Sequence, residues 1–191
     1  QDPIVDPNLF MTTLFAEPGL FLTIEGSATS ATNLEWFVNQ CCGDERAEAK
    51  RRGISVYEVC NEEVARLAPG STNIIFHPFL YGSRPNAGSR AGFYGIAGWH
   101  GEAHLLRALL EGVMFEHRRH VEVLAAAGVP FGRAVLSGGG ARSRQWPQMF
   151  ADGLGVPITV SEAREAGALG AAIGAGVGVG LFDDYASAMS A

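Results

Sequence analysis

The sequence predicts an α/β fold in which short strands alternate with helices that cover them. From residue 105 onward the apolar pattern predicts a helix, a strand, a helix, a strand and a helix, at 105–127, 133–136, 144–153, 158–160 and 165–178. Such alternation is typical of a sheet with covering helices, and not of a helical bundle or a β-sandwich. The chain has 191 residues, 47% of them hydrophobic, so it can bury the core of one domain.

The first hundred residues predict further strands and helices, which do not alternate strictly. The patterns lie at 21–23 (strand), 27–40 (helix), 55–67 (helix), 73–76 (strand) and 92–96 (strand). Ser55 is placed to cap the second of these helices, and Pro69 and Gly70 end it. Residues 43–52 carry both charge signs and no apolar stripe, so we expect a solvated loop there, and a second loop at 78–90.

Charge and cysteine content exclude several classes of protein. There are 14 Lys and Arg against 20 Asp and Glu, a net charge of −6, so no basic face for nucleic acid is expected. Cys41, Cys42 and Cys60 form neither a disulfide framework nor a CxxC pair, which favours a reducing, cytoplasmic setting. Cys41 and Cys42 are expected to pack at a helix end.

A membrane segment is not expected. The uncharged stretch 166–182 is short for a bilayer and rich in Gly and Ala, so it predicts a tightly packed, buried helix. The polar N-terminus, which carries no initiator Met, does not resemble a signal peptide and suggests a fragment of a longer chain.

A glycine-rich turn is the sharpest local feature. Residues 137–143 read SGGGARS, directly after a predicted strand and before a predicted helix. Glycines let the backbone approach a ligand closely, and a helix start offers free N–H groups to an anion such as phosphate. The alternative is a tight turn without a ligand. Neither a Walker loop nor GxGxxG is present, so a nucleotide site needs another architecture.

Four ordered motifs resemble those of the FGGY family of carbohydrate kinases. They are AGFYGI and HLLRALLE at 91–96 and 104–111, GGGARSRQWPQMFAD and LGVP at 138–152 and 154–157, EAGALGAA at 165–172, and FHPFLYGS at 76–83. The last of these, with GWH at 98–100 and LFAEPGLF at 14–21, is most similar to the L-xylulose kinase branch.

The resemblance implies an actin/Hsp70-like ATPase fold of the ribonuclease H-like type, with a mixed sheet flanked by helices. Residues 1–191 would be its C-terminal nucleotide-binding domain, without the N-terminal domain that mainly binds the sugar. ATP with Mg²⁺ is the implied cofactor, and neither a metal ligand nor the general-base aspartate is expected within this chain. The chain alone is therefore expected to be inactive.

The resemblance also assigns nucleotide-binding residues. Gly139 and Gly140 would lie beside the α-phosphate and ribose and bind them through backbone N–H groups. Arg144, in the first turn of the following helix, occupies a position that contacts adenine. Ala31 and Glu35, on the earlier helix, would line the other side of the adenine ring.

Two other patterns have a plainer interpretation. The E-H-x-x-H string formed by Glu116, His117 and His120 lacks the four-residue histidine spacing of zinc proteases and contains two arginines, so we expect a solvated helix face. Gly167, Gly170 and Gly174 are each costly in a helix, by about 1 kcal/mol relative to Ala. They predict that another backbone or the nucleotide comes close.

Two functional hypotheses remain open at this point. The first is the ATP-binding domain of a kinase that phosphorylates a ketopentose such as L-xylulose. The second is a non-catalytic module that binds nucleotide or associates with another subunit, with helix 105–127 as a possible homodimer contact. ATP or ADP and a small-molecule sugar are the expected partners.

Overall fold

The computed structural model describes residues 2–84, 86–163 and 165–191. The helices are Thr32–Cys41 (α1), Gly43–Arg52 (α2), Val56–Ala65 (α3), Glu102–Ala126 (α4), Trp146–Leu154 (α5), Ala166–Gly178 (α6) and Tyr185–Ser190 (α7). The strands are Met11–Leu14 (β1), Phe21–Ile24 (β2), Ile75–His77 (β3), Gly92–Tyr94 (β4), Ala134–Leu136 (β5) and Ile158–Val160 (β6).

The strands form three separate pairs and not the single mixed sheet that the sequence predicts. The β1–β2 and β3–β4 pairs are antiparallel, whereas β5 and β6 are parallel, with Val135 opposite Thr159. Each strand is only three or four residues long, and among the described residues no strand joins one pair to another. The α/β class is confirmed, but the residues that the structure describes contain no continuous sheet.

Helix α4 lies at the centre of the hydrophobic core. Leu106, Leu109 and Val113 are almost completely buried on it, and α1, α3, α5 and β3 pack around it. At Gly112 a β-carbon would overlap the backbone carbonyl of Phe76, so only glycine allows α4 to lie this close to β3. Phe115 on α4 is nevertheless 57% exposed, and the homodimer contact expected of this helix stays a prediction.

Residues 43–52 form helix α2 and not the predicted loop. Asp44 and Glu45 lie in its first turn and three basic residues in its last, which complements the helix dipole. Gly53 ends the helix in the left-handed conformation, with φ of 66°. Only Ala49 is buried, so the helix has no apolar stripe for a periodicity analysis to find.

Several other element ends agree with the sequence, although α1 begins at Thr32 and not at the predicted residue 27. Ser55 caps α3 with a capping box, in which its hydroxyl accepts from the Tyr57 N–H and Glu58 bonds back to the Ser55 N–H. The strand at 158–160 is confirmed with the same ends. Strand β1 and helix α7 were not predicted, because both are short and largely exposed.

Helix α6 is exposed, which contradicts the prediction of a buried helix. Gly176 is the one described residue of α6 in the buried class, and Leu169 is 52% exposed. Within 4 Å of where a β-carbon would stand at Gly167, Gly170 or Gly174 there is no other atom. In the part of the chain that is described, no helix is long and apolar enough to cross a bilayer.

Candidate functional site

The glycine turn lies at the carboxyl end of β5. Gly138 has φ of 81°, a conformation that L side chains rarely adopt, and Gly139–Arg142 form a 3₁₀ turn. The N–H groups of Gly139 and Gly140 stand at the start of this turn, where the i→i+3 hydrogen-bond pattern leaves them without an intrahelical partner. A β-carbon at Gly139 would meet no atom within 4 Å, so its surface is open.

A cavity of about 620 Å³ opens beside this turn. Its lining residues come from the turn and from the segment after β6: Gly138, Ala141, Arg142, Ser161, Glu162, Ala163 and Glu165. Because β5 and β6 are parallel, the segments that follow them meet at the same edge of the sheet. Ligands of α/β proteins bind in this position, and the volume suits a molecule of nucleotide size.

The charges around this cavity are mixed. The guanidinium of Arg142 lies 3.6 Å from Glu165, and the two side chains are 68% and 81% exposed. Ion pairs at such exposure contribute little to stability, so an incoming anion can compete for Arg142. Glu162 and Glu165 would repel a phosphate, which makes neutralisation of its charge a requirement of this site.

A smaller cavity, of about 200 Å³, lies on the other side of Arg142. It is lined by Arg142, Arg144 and Gln145 together with the α3 residues Glu58, Asn61, Glu62 and Ala65. The α3 residues were not predicted to contribute to a site. The one sequence signal for them is the i, i+3, i+4 spacing of the polar residues Glu58, Asn61 and Glu62. That spacing also fits an ordinary solvated helix face.

Ser143 connects the glycine turn to both α3 and α5. Its hydroxyl donates to the Asn61 side-chain oxygen at 2.7 Å and accepts from the N–H groups of Gln145 and Trp146. The start of α5 is therefore capped by the protein itself, so the N–H groups that were expected to be free for an anion are partly occupied. Arg144 precedes α5, which begins at Trp146, and does not lie in its first turn.

Ala31 and Glu35 lie at the start of α1. Ala31 is half-buried against the core, whereas Glu35 is exposed in the first turn. Neither residue lines the two cavities beside Arg142. Glu35 is close enough to Tyr57 on α3 to add to the effect of burial in raising the pKa of that phenol. Their contact with adenine stays a prediction.

The residues of the E-H-x-x-H string are buried, and the prediction of a solvated face was wrong for them. Glu116 and His120 are 7% and 4% exposed, and His117 shares a 2.9 Å hydrogen bond with the Ser30 hydroxyl. Burial lowers the pKa of His117 to about 4 and also lowers the pKa of His120. Both imidazoles are therefore neutral at pH 7.

The hydrogen bonds around His120 explain why it stays neutral. Arg119 can only donate, so it donates to Nδ1 of His120 at 3.1 Å, and the protonated Nε2 then donates to the Ser27 hydroxyl at 3.2 Å. This pattern fixes one tautomer of the ring. The two histidines therefore attach the segment 27–30, which leads into α1, to the central helix.

Glu25 is a second link between the N-terminal strands and α4. Its carboxylate is completely shielded from solvent and accepts from the Phe10 N–H at 2.8 Å and from Arg84 at 3.0 Å. Arg119 and His120 lie 3.7 and 3.6 Å from its other oxygen. Arg84 also donates to the backbone carbonyl groups of Asn8 and Leu9. These contacts position the N-terminal hairpin, and none of the residues that make them lines the two cavities beside Arg142.

Comparison with known proteins identifies a family. Residues 1–179 match the model of the FGGY family of carbohydrate kinases, C-terminal domain. Among curated proteins, the chain is 39% identical over 164 residues to a probable L-xylulose kinase of Haemophilus influenzae, covering 86% of this chain and 32% of the relative. It is 35% identical over 174 residues to the L-xylulose/3-keto-L-gulonate kinase of Escherichia coli, covering 91% and 33%.

Solved structures agree with this match. A xylulose kinase from Rhodospirillum rubrum is similar with a TM-score of 0.79 and 29% identity, over 96% of this chain and 36% of that one. A Plasmodium falciparum glycerol kinase with ADP shares the fold with a TM-score of 0.73 and 24% identity, over 95% of this chain and 35% of that one. The chain spans about a third of the length of these relatives.

Proposed function

Because the chain belongs to the FGGY family of carbohydrate kinases, we propose that it forms the nucleotide-binding domain of an ATP-dependent sugar kinase. Its architecture would be the actin/Hsp70-like, ribonuclease H-like ATPase domain. The observation that carries the proposal is the open glycine turn beside the 620 Å³ cavity, at the carboxyl ends of two parallel strands. A glycine at 139 leaves free the space that a side chain would fill, so a bound group can reach the backbone.

The residues on the two sides of Arg142 divide the nucleotide between two subsites. The N–H groups of Gly139 and Gly140 bind the α-phosphate and the ribose, and Arg142 offsets part of the phosphate charge. Arg144 and Asn61 face the smaller cavity and orient the base. When bound, Mg·ATP supplies the phosphoryl group, and its Mg²⁺ ion offsets the negative charge of the phosphates. Catalysis of this transfer depends mainly on positioning and electrostatics, which a rigid turn provides.

The sugar is proposed to be a ketopentose such as L-xylulose. Support comes from the names of two relatives, a probable L-xylulose kinase of Haemophilus influenzae and the L-xylulose/3-keto-L-gulonate kinase of Escherichia coli. A hydroxyl group of the sugar would accept the γ-phosphoryl, with a general-base aspartate supplied from outside this chain. The protein would work in the cytoplasm.

A calorimetric titration of the purified chain with Mg·ADP tests the nucleotide site, with Mg·GDP and AMP as controls. Saturable binding of ADP in preference to GDP supports the proposal. A chain that is folded by circular dichroism but binds none of the three contradicts it. In that case the second hypothesis, a subunit-association module, is favoured by the exposed apolar residues Val135, Leu169 and Leu181. Analytical ultracentrifugation would then reveal concentration-dependent self-association.

A further inference from the structure

A second cluster of reactive side chains lies away from the glycine turn. The Sγ atom of Cys42 and one carboxylate oxygen each from Glu45 and Glu102 all lie within 4.8 Å of one another. The thiol of Cys60 is a close neighbour of the Cys42 thiol. Cys42 joins α1 to α2, Glu45 lies in α2, Cys60 in α3, and Glu102 begins α4. The fold therefore brings together three potential metal ligands, with the Cys60 thiol beside them.

The cluster is shielded from water but incompletely hydrogen-bonded. Cys42 and Cys60 are 0% and 4% exposed. Oε2 of Glu45 and Oε1 of Glu102 are also hidden from solvent, and neither has a hydrogen-bond partner among the described residues. A buried carboxylate oxygen without a partner is unfavourable, because it has lost its hydration and gained nothing in return. The arrangement needs either shared protons or a cation to compensate it.

The geometry of the cluster disfavours negative charge when no cation is present, because the buried oxygens of Glu45 and Glu102 and the Cys42 sulfur lie within 4.8 Å of one another. A bound cation reverses this balance, since it stabilises each thiolate and carboxylate by direct coordination. Groups that would repel one another as anions thus become a matched ligand set.

We propose that Cys42, Cys60, Glu45 and Glu102 form a structural binding site for a divalent cation of the zinc class. Two thiolates and two carboxylates give four protein ligands, the number that closed structural zinc sites use. The sulfur atoms select a borderline-soft ion over Mg²⁺ or Ca²⁺, which prefer oxygen ligands. None of these four residues lines either cavity beside Arg142.

Such a site would hold α2 in place. The helix buries only Ala49, so the hydrophobic core contributes little to its attachment. A cation at Cys42 and Glu45 connects both the start and the first turn of α2 to α3 and α4. The metal would therefore replace the apolar contacts that this highly charged helix lacks.

The test is a titration of the reduced, metal-free chain with Co²⁺ and then Zn²⁺. We expect a thiolate-to-cobalt charge-transfer band that saturates at one equivalent, disappears when Zn²⁺ is added, and accompanies proton release. Zn²⁺ should also raise the melting temperature. Cys42→Ser and Glu45→Gln should each weaken Zn²⁺ binding by about 100-fold or more, since even outer-shell changes cost about 10- to 100-fold.

Cys41→Ser is the matched control, because Cys41 is the neighbouring cysteine but is exposed and outside the cluster. It should bind both ions as the unmodified chain does. Glu45→Gln tests the site even if Cys42→Ser does not fold. Because Glu45 is only partly buried, its substitution is expected to leave the fold intact. A folded chain without the cobalt band shows that the carboxylates merely share protons, and it overturns the site. Equal loss of binding in Cys41→Ser overturns it as well.

Discussion

The indole ring of Trp146 lies directly beneath Gly140, so that a β-carbon at this glycine would stand 3.2 Å from the ring. Trp146 is itself 2% exposed and donates from Nε1 to the Leu110 carbonyl at 3.0 Å. The glycine turn therefore rests on an indole that is fixed to the central helix. This relationship gives the two neighbouring glycines different roles.

Substitution of Gly139 and of Gly140 should separate binding from packing. The valine side chain of Gly139→Val would point into open space, so we expect an unchanged free energy of unfolding. The same side chain would block the approach of the phosphate, so we expect Mg·ADP affinity to fall by about 10-fold or more. Gly140→Val must displace Trp146, so it should also lower the free energy of unfolding by about 1–3 kcal/mol. Urea unfolding and calorimetry measure both effects. Full ADP affinity in Gly139→Val would show that the turn does not bind phosphate.

Arg144 should contribute to nucleotide binding and not to folding. The side chain is exposed and faces the smaller cavity, so Arg144→Ala should weaken ADP binding about 3- to 10-fold and leave the urea midpoint unchanged. Arg118→Ala is a suitable control, since Arg118 is exposed and its ion pair with Glu122 lies on α4. Equal effects of the two variants on ADP affinity would argue for general charge attraction and against a base contact.

His117 should make stability depend on pH. Its pKa falls from 6.5 to about 4 on folding, so the unfolded chain binds more protons between these values. Stability is complete above pH 6.5 and is lost as the pH falls towards 4, by up to about 3 kcal/mol at 1.36 kcal/mol per pKa unit. Urea unfolding from pH 4.5 to 7.5 measures the slope, which His117→Asn should reduce. His77→Asn, at an exposed position, should not change it.

Two glycine-to-alanine substitutions should have opposite effects on the stability of the fold. Gly112→Ala places a methyl group against the Phe76 carbonyl and should destabilise the fold by about 1–3 kcal/mol, despite the better helix propensity of alanine. Gly170→Ala in α6 meets open space and should stabilise by about 0.5–1 kcal/mol. Thermal unfolding of both variants measures this. A destabilised Gly170→Ala would mean that another surface approaches α6 in solution.

The chain alone should not catalyse phosphoryl transfer. The resemblance to the family places the general-base aspartate outside these 191 residues, so ATP and L-xylulose should give no sugar-dependent ADP release. A coupled pyruvate kinase assay measures the rate, with a full-length relative as the positive control. Turnover by the isolated chain would require an unrecognised base, and substitution of Asp152, Asp183 and Asp184 in turn would locate it.

The sequence predicts those elements whose signal is local. Ser55, with Glu58 three residues later, marks the start of α3, and the alternation after residue 105 identifies the α/β class. Helix α2 could not be predicted from apolar periodicity, because it buries only Ala49 and its charges are placed to suit the helix dipole. His117 and His120 were misjudged because their partners Ser30 and Ser27 lie 87 and 93 residues away in sequence.

The glycine turn is recognisable in the sequence because the backbone alone defines it, although Gly139 and Gly140 do not line the cavity beside it and their contact with nucleotide stays a prediction. Three consecutive glycines after a strand are visible as a pattern, and the structure places a cavity beside them. The contribution of Asn61 could not be predicted, because its hydrogen bond to Ser143 joins residues 82 positions apart. Likewise, nothing in the spacing of Glu45 and Glu102 indicates that α2 and α4 meet.

The polar anchoring of the N-terminal hairpin has a consequence for how the molecule opens. No residue of the β1 and β2 strands is fully buried, and contacts to Glu25 and Arg84 hold these strands to the rest of the chain. Regions with few buried apolar contacts open at lower free energy than the core and form separate cooperative units. Amide protons of β1 and β2 should therefore exchange with deuterium together, and well before those of α4, so that the hairpin behaves as a detachable foldon.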